Sequence, residues 1–134
     1  MNRFTLVVIL SLSALLGAGA TSGPPLATPP GADPSAAKHN AEGIEHYNLG
    51  HWDVAKEHFE AAVNADPKLA EAHYNLALAF HKLGAHAEAT AHFKEAAELA
   101  PSNTAITDSS AYWSHVRSSR DYGGYGGYGG MYGY

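Results

Sequence analysis

Histidine is the residue type through which this sequence could do chemistry. Nine histidines occur in 134 residues and there is no cysteine, so imidazole nitrogens are the main candidates for metal ligands or proton carriers. Some of them recur at the same offset along the chain, among them the pairs His39 with His73 and His58 with His92. In a stacked helical repeat each pair would lie in neighbouring layers.

The spacing of these residues does not assign a metal or catalytic site. Helices in neighbouring layers lie about 10 Å apart, too far for two imidazoles to share an ion without a third ligand. His39, Glu42 and His46 follow one helical face, but such a triplet arises easily by chance. Metal-binding motifs of the H-E-x-x-H and C-x-x-C types, phosphate loops and catalytic triads do not occur. We predict no catalytic residue, no metal site and no cofactor, with a metal- or pH-responsive histidine-rich binder as a third interpretation.

Residues 1–20 have the pattern of a secretory signal peptide. Arg3 precedes an apolar run over residues 4–16, and residues 18–20 read Ala-Gly-Ala, a small-x-small cleavage pattern. The run is shorter than the roughly 20 residues that a membrane-spanning helix needs. We expect cleavage after Ala20, export to the periplasm or the extracellular space, and no stable membrane anchor afterwards. Cleavage takes the formal charge from −5 to −6, which argues against nucleic-acid binding.

Both flanks of the central region have biased compositions. Residues 21–35, "TSGPPLATPPGADPS", hold five of the seven prolines and predict an extended, unfolded spacer. Residues 118–134 carry Tyr-Gly-Gly triplets and predict a disordered tail. Its regularly placed tyrosines are typical of a self-associating segment: Tyr122, Tyr125, Tyr128, Tyr132 and Tyr134. The alternative function is therefore an extracellular structural or self-assembling protein.

The central region, residues 36–117, contains an internal repeat. Its composition and apolar stripes predict an all-α fold. An offset of 27 aligns the HYNL at 46–49 with that at 73–76 and then fails. An offset of 34 superposes structural residues in both copies: Gly50, Ala55, Phe59, Ala62 and Pro67 on Gly84, Ala89, Phe93, Ala96 and Pro101.

Each repeated residue type has a mechanical role. The glycine allows a left-handed turn after the first helix of each copy. The first alanine lets neighbouring helices approach, the phenylalanine fills the space between them, and the second alanine continues that stripe. The proline ends the second helix, because the residue before a proline is pushed out of helical geometry. Each copy is predicted to be an antiparallel helical hairpin.

This G-x4-A-x3-F-x2-A-x4-P pattern resembles the tetratricopeptide repeat, with one repeat at residues 36–69 and a second at 70–103. The second copy has Leu76, Ala77 and Phe80 where the family has its leucine, small residue and aromatic residue. The first copy keeps Gly43 but places Glu42 at the leucine position and His46 at the aromatic position. Its first helix, residues 36–48, is therefore expected to be frayed or exposed as a polar N-terminal cap.

A capping helix is predicted over residues 104–117, with Asn103 or Thr104 as its cap. It places Ile106, Trp113 and Val116 toward the last hairpin, and Trp113 is expected to be the main packing residue. Two repeats and a cap form a small core. We expect self-association or a bound partner to complete it.

The resemblance implies a non-enzymatic scaffold that binds a protein or peptide partner in a concave groove. The family's groove positions fall on ten residues of this sequence: Ala37, Asn40, Ile44, Tyr47, Asn48, Glu71, Tyr74, Leu78, His81 and Lys82. The paired lysine and asparagine set by which some relatives hold a terminal carboxylate is not recognisable, so that ligand is not predicted.

Overall fold

The computed structural model describes residues 23–123, and side chains up to residue 117. Within this range the structure has six helices and no strand: α1 (Pro34–Asn48), α2 (Trp52–Ala65), α3 (Ala70–Lys82), α4 (His86–Leu99), α5 (Thr104–Thr107) and α6 (Ser110–Gly123). The predicted signal peptide and most of the Tyr-Gly tail lie outside the described residues. The all-α prediction is confirmed.

The sequence repeat produces two antiparallel hairpins, α1–α2 and α3–α4. Gly50 and Gly84 both have a φ of 78° at the turn after the first helix, a backbone conformation that strains any residue with a Cβ. The repeated alanines and phenylalanines are fully buried: Ala55, Phe59, Ala62, Ala89, Phe93 and Ala96. The second helices end at Ala65 and Leu99, shortly before each repeated proline.

The expectation that the first helix is frayed or exposed is wrong. Helix α1 is continuous over 15 residues, because Asp33 caps its start by accepting hydrogen bonds from the amides of Ser35 and Ala36, each at 2.9 Å. Its polar residues also have partners on α2. The Glu42 carboxylate lies 3.3 Å from Nδ1 of His58, which gives the first hairpin a polar seam where the second has Leu76.

The C-terminal cap is also different from the prediction. It consists of the short helix α5 and the longer α6, because Ser109 accepts a hydrogen bond from the Tyr112 amide at 3.1 Å and starts a new helix. This break changes the buried face to Ala111, His115 and Val116, with Ile106 buried on α5. Trp113 is 45% exposed and is not the main packing residue. The last helix also continues to Gly123, past the predicted end at 117.

The prediction of an unfolded spacer is wrong for residues 23–33. This segment has no regular helix or strand, but it lies against the helices and Leu26 packs on the main hydrophobic core. We call residues 23–30 the Leu26 segment. None of the helices described in residues 23–123 is long and apolar enough to cross a membrane.

Candidate functional site

Two buried asparagines from the first helices of the two hairpins lie at the centre of the face on which the partner groove is predicted. Asn40 on α1 and Asn75 on α3 are both fully buried, and Asn75 Nδ2 donates to Asn40 Oδ1 at 2.8 Å. A buried amide is costly unless its polar atoms are hydrogen-bonded. The remaining donors and acceptor of this pair are turned toward the Leu26 segment.

The asparagine pair holds the main chain of Leu26 from both sides. The Leu26 amide donates to Asn75 Oδ1 at 2.6 Å, and the Leu26 carbonyl accepts from Asn75 Nδ2 at 2.8 Å and from Asn40 Nδ2 at 3.0 Å. Asn40 Nδ2 also donates to Thr28 Oγ1 at 3.0 Å. All of these atoms except Thr28 Oγ1 belong to side-chain amides or to the peptide backbone. The asparagines therefore bind the backbone of an extended chain rather than a particular side chain.

Two tyrosines and Ser109 line the groove beside the asparagines. Gly23 approaches Tyr74 so closely that a Cβ at this glycine would lie 2.8 Å from the Tyr74 hydroxyl oxygen. Burial raises the pKa of Tyr47 to about 12, with a further contribution from Tyr74. Burial also raises the pKa of Tyr74, and a hydrogen bond with Ser109 opposes that rise. Both phenols are therefore uncharged near neutral pH, which suits contact with a largely apolar, proline-rich chain.

The family assignment follows from the hairpins and from a sequence comparison. Residues 40–104 match the family model described as tetratricopeptide repeat. The domain belongs to the tetratricopeptide repeat family. Domains of this family generally mediate protein–protein contacts and are generally not enzymes. No curated protein matches the chain.

Several of the groove residues expected for a tetratricopeptide repeat lie together in the structure. Asn40, Tyr47 and Tyr74 surround the Leu26 segment or adjoin it. Ile44 and Leu78 are directed into hydrophobic clusters, and Leu78 is fully buried.

The other predicted groove residues lie away from Leu26 or have other partners. Glu71 accepts a hydrogen bond from Asn103 Nδ2 at 3.1 Å, and Ala37 is partly buried. Asn48 is exposed. Lys82 is exposed near the turns, where Nζ lies 5.8 Å from the ring centroid of Trp52. His81 contacts the cap at α6.

Sequence reasoning missed two residues at the centre of the groove, Asn75 and Leu26. Asn75 follows Tyr74 directly, but the equivalent position of the first repeat holds Ala41, so the repeat gave no signal for it. Leu26 is a single aliphatic residue among prolines, where no periodicity marks burial. The available signal was its position inside the proline-rich break in the helical pattern.

His39 and His73 contact other histidines than the ones that recur with them at the 34-residue offset. His39 lies beside His58, with ring centroids 6.0 Å apart, and His73 lies beside His92, with centroids 5.4 Å apart. These two contacts run across one hairpin, whereas His81 and His115, which share the 34-residue offset, are in contact between the second hairpin and the cap.

Proposed function

We propose that this domain is a scaffold that binds an extended peptide segment of a partner protein in its concave groove, and that the Leu26 segment occupies the groove when no partner is bound. The observation that carries the proposal is the hydrogen bonding of Leu26 to Asn40 and Asn75. An amide that accepts from the N–H and donates to the carbonyl of one residue recognises any extended backbone. The groove is therefore built for a chain rather than for a small molecule.

The chemistry of the groove defines the ligand it favours. At the Leu26 position the ligand needs an aliphatic side chain, because this residue packs on the cluster around Tyr74, Leu78 and Phe93. Flanking prolines are compatible, since they hold the chain extended and cost little ordering entropy on binding. The uncharged tyrosines offer apolar contact area. We expect the partner to present an extended, uncharged stretch with one central leucine or similar residue.

The resident segment acts as an intramolecular competitor. A tethered ligand has an effective concentration that reaches the millimolar range for a short linker. A partner must therefore bind more tightly than the Leu26 segment, or the segment must be released by another contact. Replacing Leu26 with aspartate would open the groove, because a carboxylate cannot be buried in that cluster without a charged partner.

The test uses the full chain and a labelled synthetic peptide with the sequence of residues 21–32. We expect the peptide to bind Leu26→Asp protein, to bind the unchanged protein at least about 10-fold more weakly because the groove is occupied, and to bind Leu26→Asp/Asn75→Ala protein negligibly. Fluorescence anisotropy measures all three. A matched peptide with aspartate at the Leu26 position is the control. Absence of binding to the opened protein would contradict the proposal.

We also propose that the protein is exported, on the pattern of residues 1–20. Cleavage after Ala20 would place the Leu26 segment close to the new N-terminus. Mass spectrometry of protein recovered from its native cell tests this. A chain that retains Met1 in the cytoplasmic fraction would contradict export.

A further inference from the structure

Three histidines from three helices converge where the cap meets the second hairpin. His81 lies near the end of α3, His86 begins α4 and His115 lies on α6. One ligand nitrogen from each lies within 4.8 Å of the other two. His81 Nδ1 and His115 Nε2 are 2.9 Å apart. We call these three residues the histidine triad.

We propose that the histidine triad binds a divalent transition-metal ion of the zinc type through three imidazole nitrogens, with a fourth position open to water. A zinc–nitrogen distance of about 2.0–2.1 Å and tetrahedral angles place the centroids of bound imidazoles about 5 Å apart. The observed centroid separations are 5.0 Å for His81 and His115, 5.4 Å for His86 and His115, and 5.6 Å for His81 and His86. The rings therefore already have the spacing of a three-histidine site.

The hydrogen bonds around His115 leave the lone pair of this imidazole on Nε2, the nitrogen that faces His81. Thr90 has one hydroxyl proton and donates it to the His86 carbonyl at 2.8 Å. It can therefore only accept from His115 Nδ1, which lies 3.1 Å from the hydroxyl oxygen. The proton of neutral His115 is on Nδ1, and its Nε2 carries the lone pair. A histidine that binds a metal almost always donates its other ring N–H to an acceptor, usually a carboxylate, a backbone carbonyl or water, and the Thr90 hydroxyl oxygen is such an acceptor here.

His81 can supply the second nitrogen without losing its proton. In the absence of a metal, its Nδ1–H donates to His115 Nε2. When a metal binds, the proton of His81 moves to Nε2 and Nδ1 becomes a ligand, so the imidazole stays neutral. Burial lowers the pKa of His81, and His86 and Lys82 lower it further. Burial, then His81 and His86, lower the pKa of His115, with the His86 carbonyl opposing the change.

The surroundings of the histidine triad are suited to a bound cation. His115 is buried and packs on Phe93, with ring centroids 5.3 Å apart. His86 is exposed, which leaves a route for the ion. Lys82 is a nearby positive charge, and it is exposed to solvent beside Trp52. A second group of ligand residues, His39, Glu42 and His58, lies on the first hairpin, but its carboxylate sits between the two imidazoles as an ion-pair partner.

A metal at the histidine triad would have a structural consequence. The ion would join α6 to both helices of the second hairpin. Helix α6 is the last helix within residues 23–123 and packs mainly against α4. We therefore expect zinc to raise the melting temperature and to slow amide exchange over residues 110–117, since a ligand that binds only the folded state stabilises it.

The experiment measures zinc affinity of the full chain by competition with a chromogenic chelator, with Co²⁺ absorption as a report of tetrahedral coordination. His86→Ala is expected to lower the affinity by about 100-fold or more, because loss of a ligand exceeds the 10–100-fold effect of an outer contact. Thr90→Val is expected to lower it by about 10–100-fold. His51→Ala is the matched control, since His51 is an exposed histidine at the start of α2, and it should leave affinity unchanged.

The proposal is overturned if the unchanged protein binds no zinc, if His86→Ala lowers the affinity less than about 10-fold, or if His51→Ala lowers it as much as His86→Ala. Circular dichroism confirms that each variant is folded. His86 and Thr90 lie outside the peptide groove, so these results are independent of peptide binding.

Discussion

The aromatic ring of Phe59 occupies the space where a side chain on Gly43 would begin. A Cβ built on Gly43 would lie 2.5 Å from Cε1 and 2.6 Å from Cδ1 of Phe59, well inside van der Waals contact. Both residues are buried. Helix α1 therefore approaches α2 more closely than any residue with a side chain at position 43 would permit. The ring of Phe59 packs directly on the backbone of Gly43 and closes the first hairpin.

Gly43→Ala is expected to destabilise the fold by about 1–2 kcal/mol. Overpacking against Phe59 costs about 1–3 kcal/mol, and the better helix propensity of alanine offsets up to about 1 kcal/mol. Urea denaturation measures the free energy of unfolding. In a Phe59→Leu background the same substitution should cost less, because the shorter side chain leaves room. If Gly43→Ala stabilises the unchanged protein, the close approach is not present in solution.

Asn40→Ala and Asn75→Ala are each expected to cost about 1–3 kcal/mol of stability, since each leaves a buried polar group without a partner. The double variant should cost less than the sum of the two single variants, because the amides share one network with Leu26. Thermal unfolding of the four proteins gives the coupling energy. Asn48→Ala is the control, since Asn48 is exposed on the same helix as Asn40. Strict additivity would show that the two amides act independently.

Acid is expected to weaken the fold through His92. Burial, and then His73, lower the pKa of His92 below the ordinary 6.5, while Glu60 and Glu95 oppose the shift. His73 donates to the Pro67 carbonyl at 2.8 Å through Nε2, so its Nδ1 accepts from His92 Nδ1 at 3.1 Å.

Because the pKa of His92 is lower in the folded state, the unfolded chain binds more protons below pH 6.5. The contribution of His92 to stability is therefore complete above about pH 6.5 and declines as the pH falls toward the folded-state pKa. Urea denaturation between pH 7.5 and pH 5, in the presence of a chelator, should show a smaller loss for His92→Gln than for the unchanged protein, on the order of the single-proton linkage. Equal losses would contradict this role of His92.

Alkali is expected to weaken the fold through Tyr47. Its pKa rises from 10.0 in the unfolded chain to about 12 in the folded domain, mainly because it is buried. The folded state retains the phenolic proton to higher pH. The contribution of Tyr47 to stability is therefore complete below pH 10 and is lost as the pH rises toward 12. Tyrosinate absorbance and circular dichroism during an alkaline titration measure this. Tyr47→Phe should shift the midpoint of alkaline unfolding upward, and an unchanged midpoint would contradict the assignment.

The features that repeat could be predicted from the sequence, and the features that occur once could not. Gly50, Phe59 and Pro67 each have a counterpart at the equivalent position of the second repeat, and a packing rule states what each residue type does there. The repeat pattern also assigns Gly43 to a small-residue position, where the structure places the ring of Phe59. The fold could be predicted from such positions, because the local helix signals and the long-range packing at each of them indicate the same structure.

The cap and the groove depend on contacts that have no second copy in the sequence. Trp113 fits an apolar stripe when the helix is assumed to be continuous, but Ser109 starts a new helix and changes which face is buried. Leu26 belongs to a segment whose composition favours an unfolded chain, and it is ordered by the amides of two distant asparagines and by packing on the main core. His115 follows His81 by the repeat offset of 34 residues, but the glycine, phenylalanine and proline of the repeat have no counterparts there, so the offset alone does not predict the contact.

The Leu26 segment changes how the array should come apart. Helical repeats contact only their neighbours, so terminal units can unzip one at a time. Here a single stretch of chain is fastened to α1 through Asn40 and to α3 through Asn75. Opening the first hairpin therefore also removes the hydrogen-bonded Leu26 segment from the second. The two hairpins are expected to unfold together as one cooperative unit. Stacking between only two hairpins would not be enough to couple them in this way.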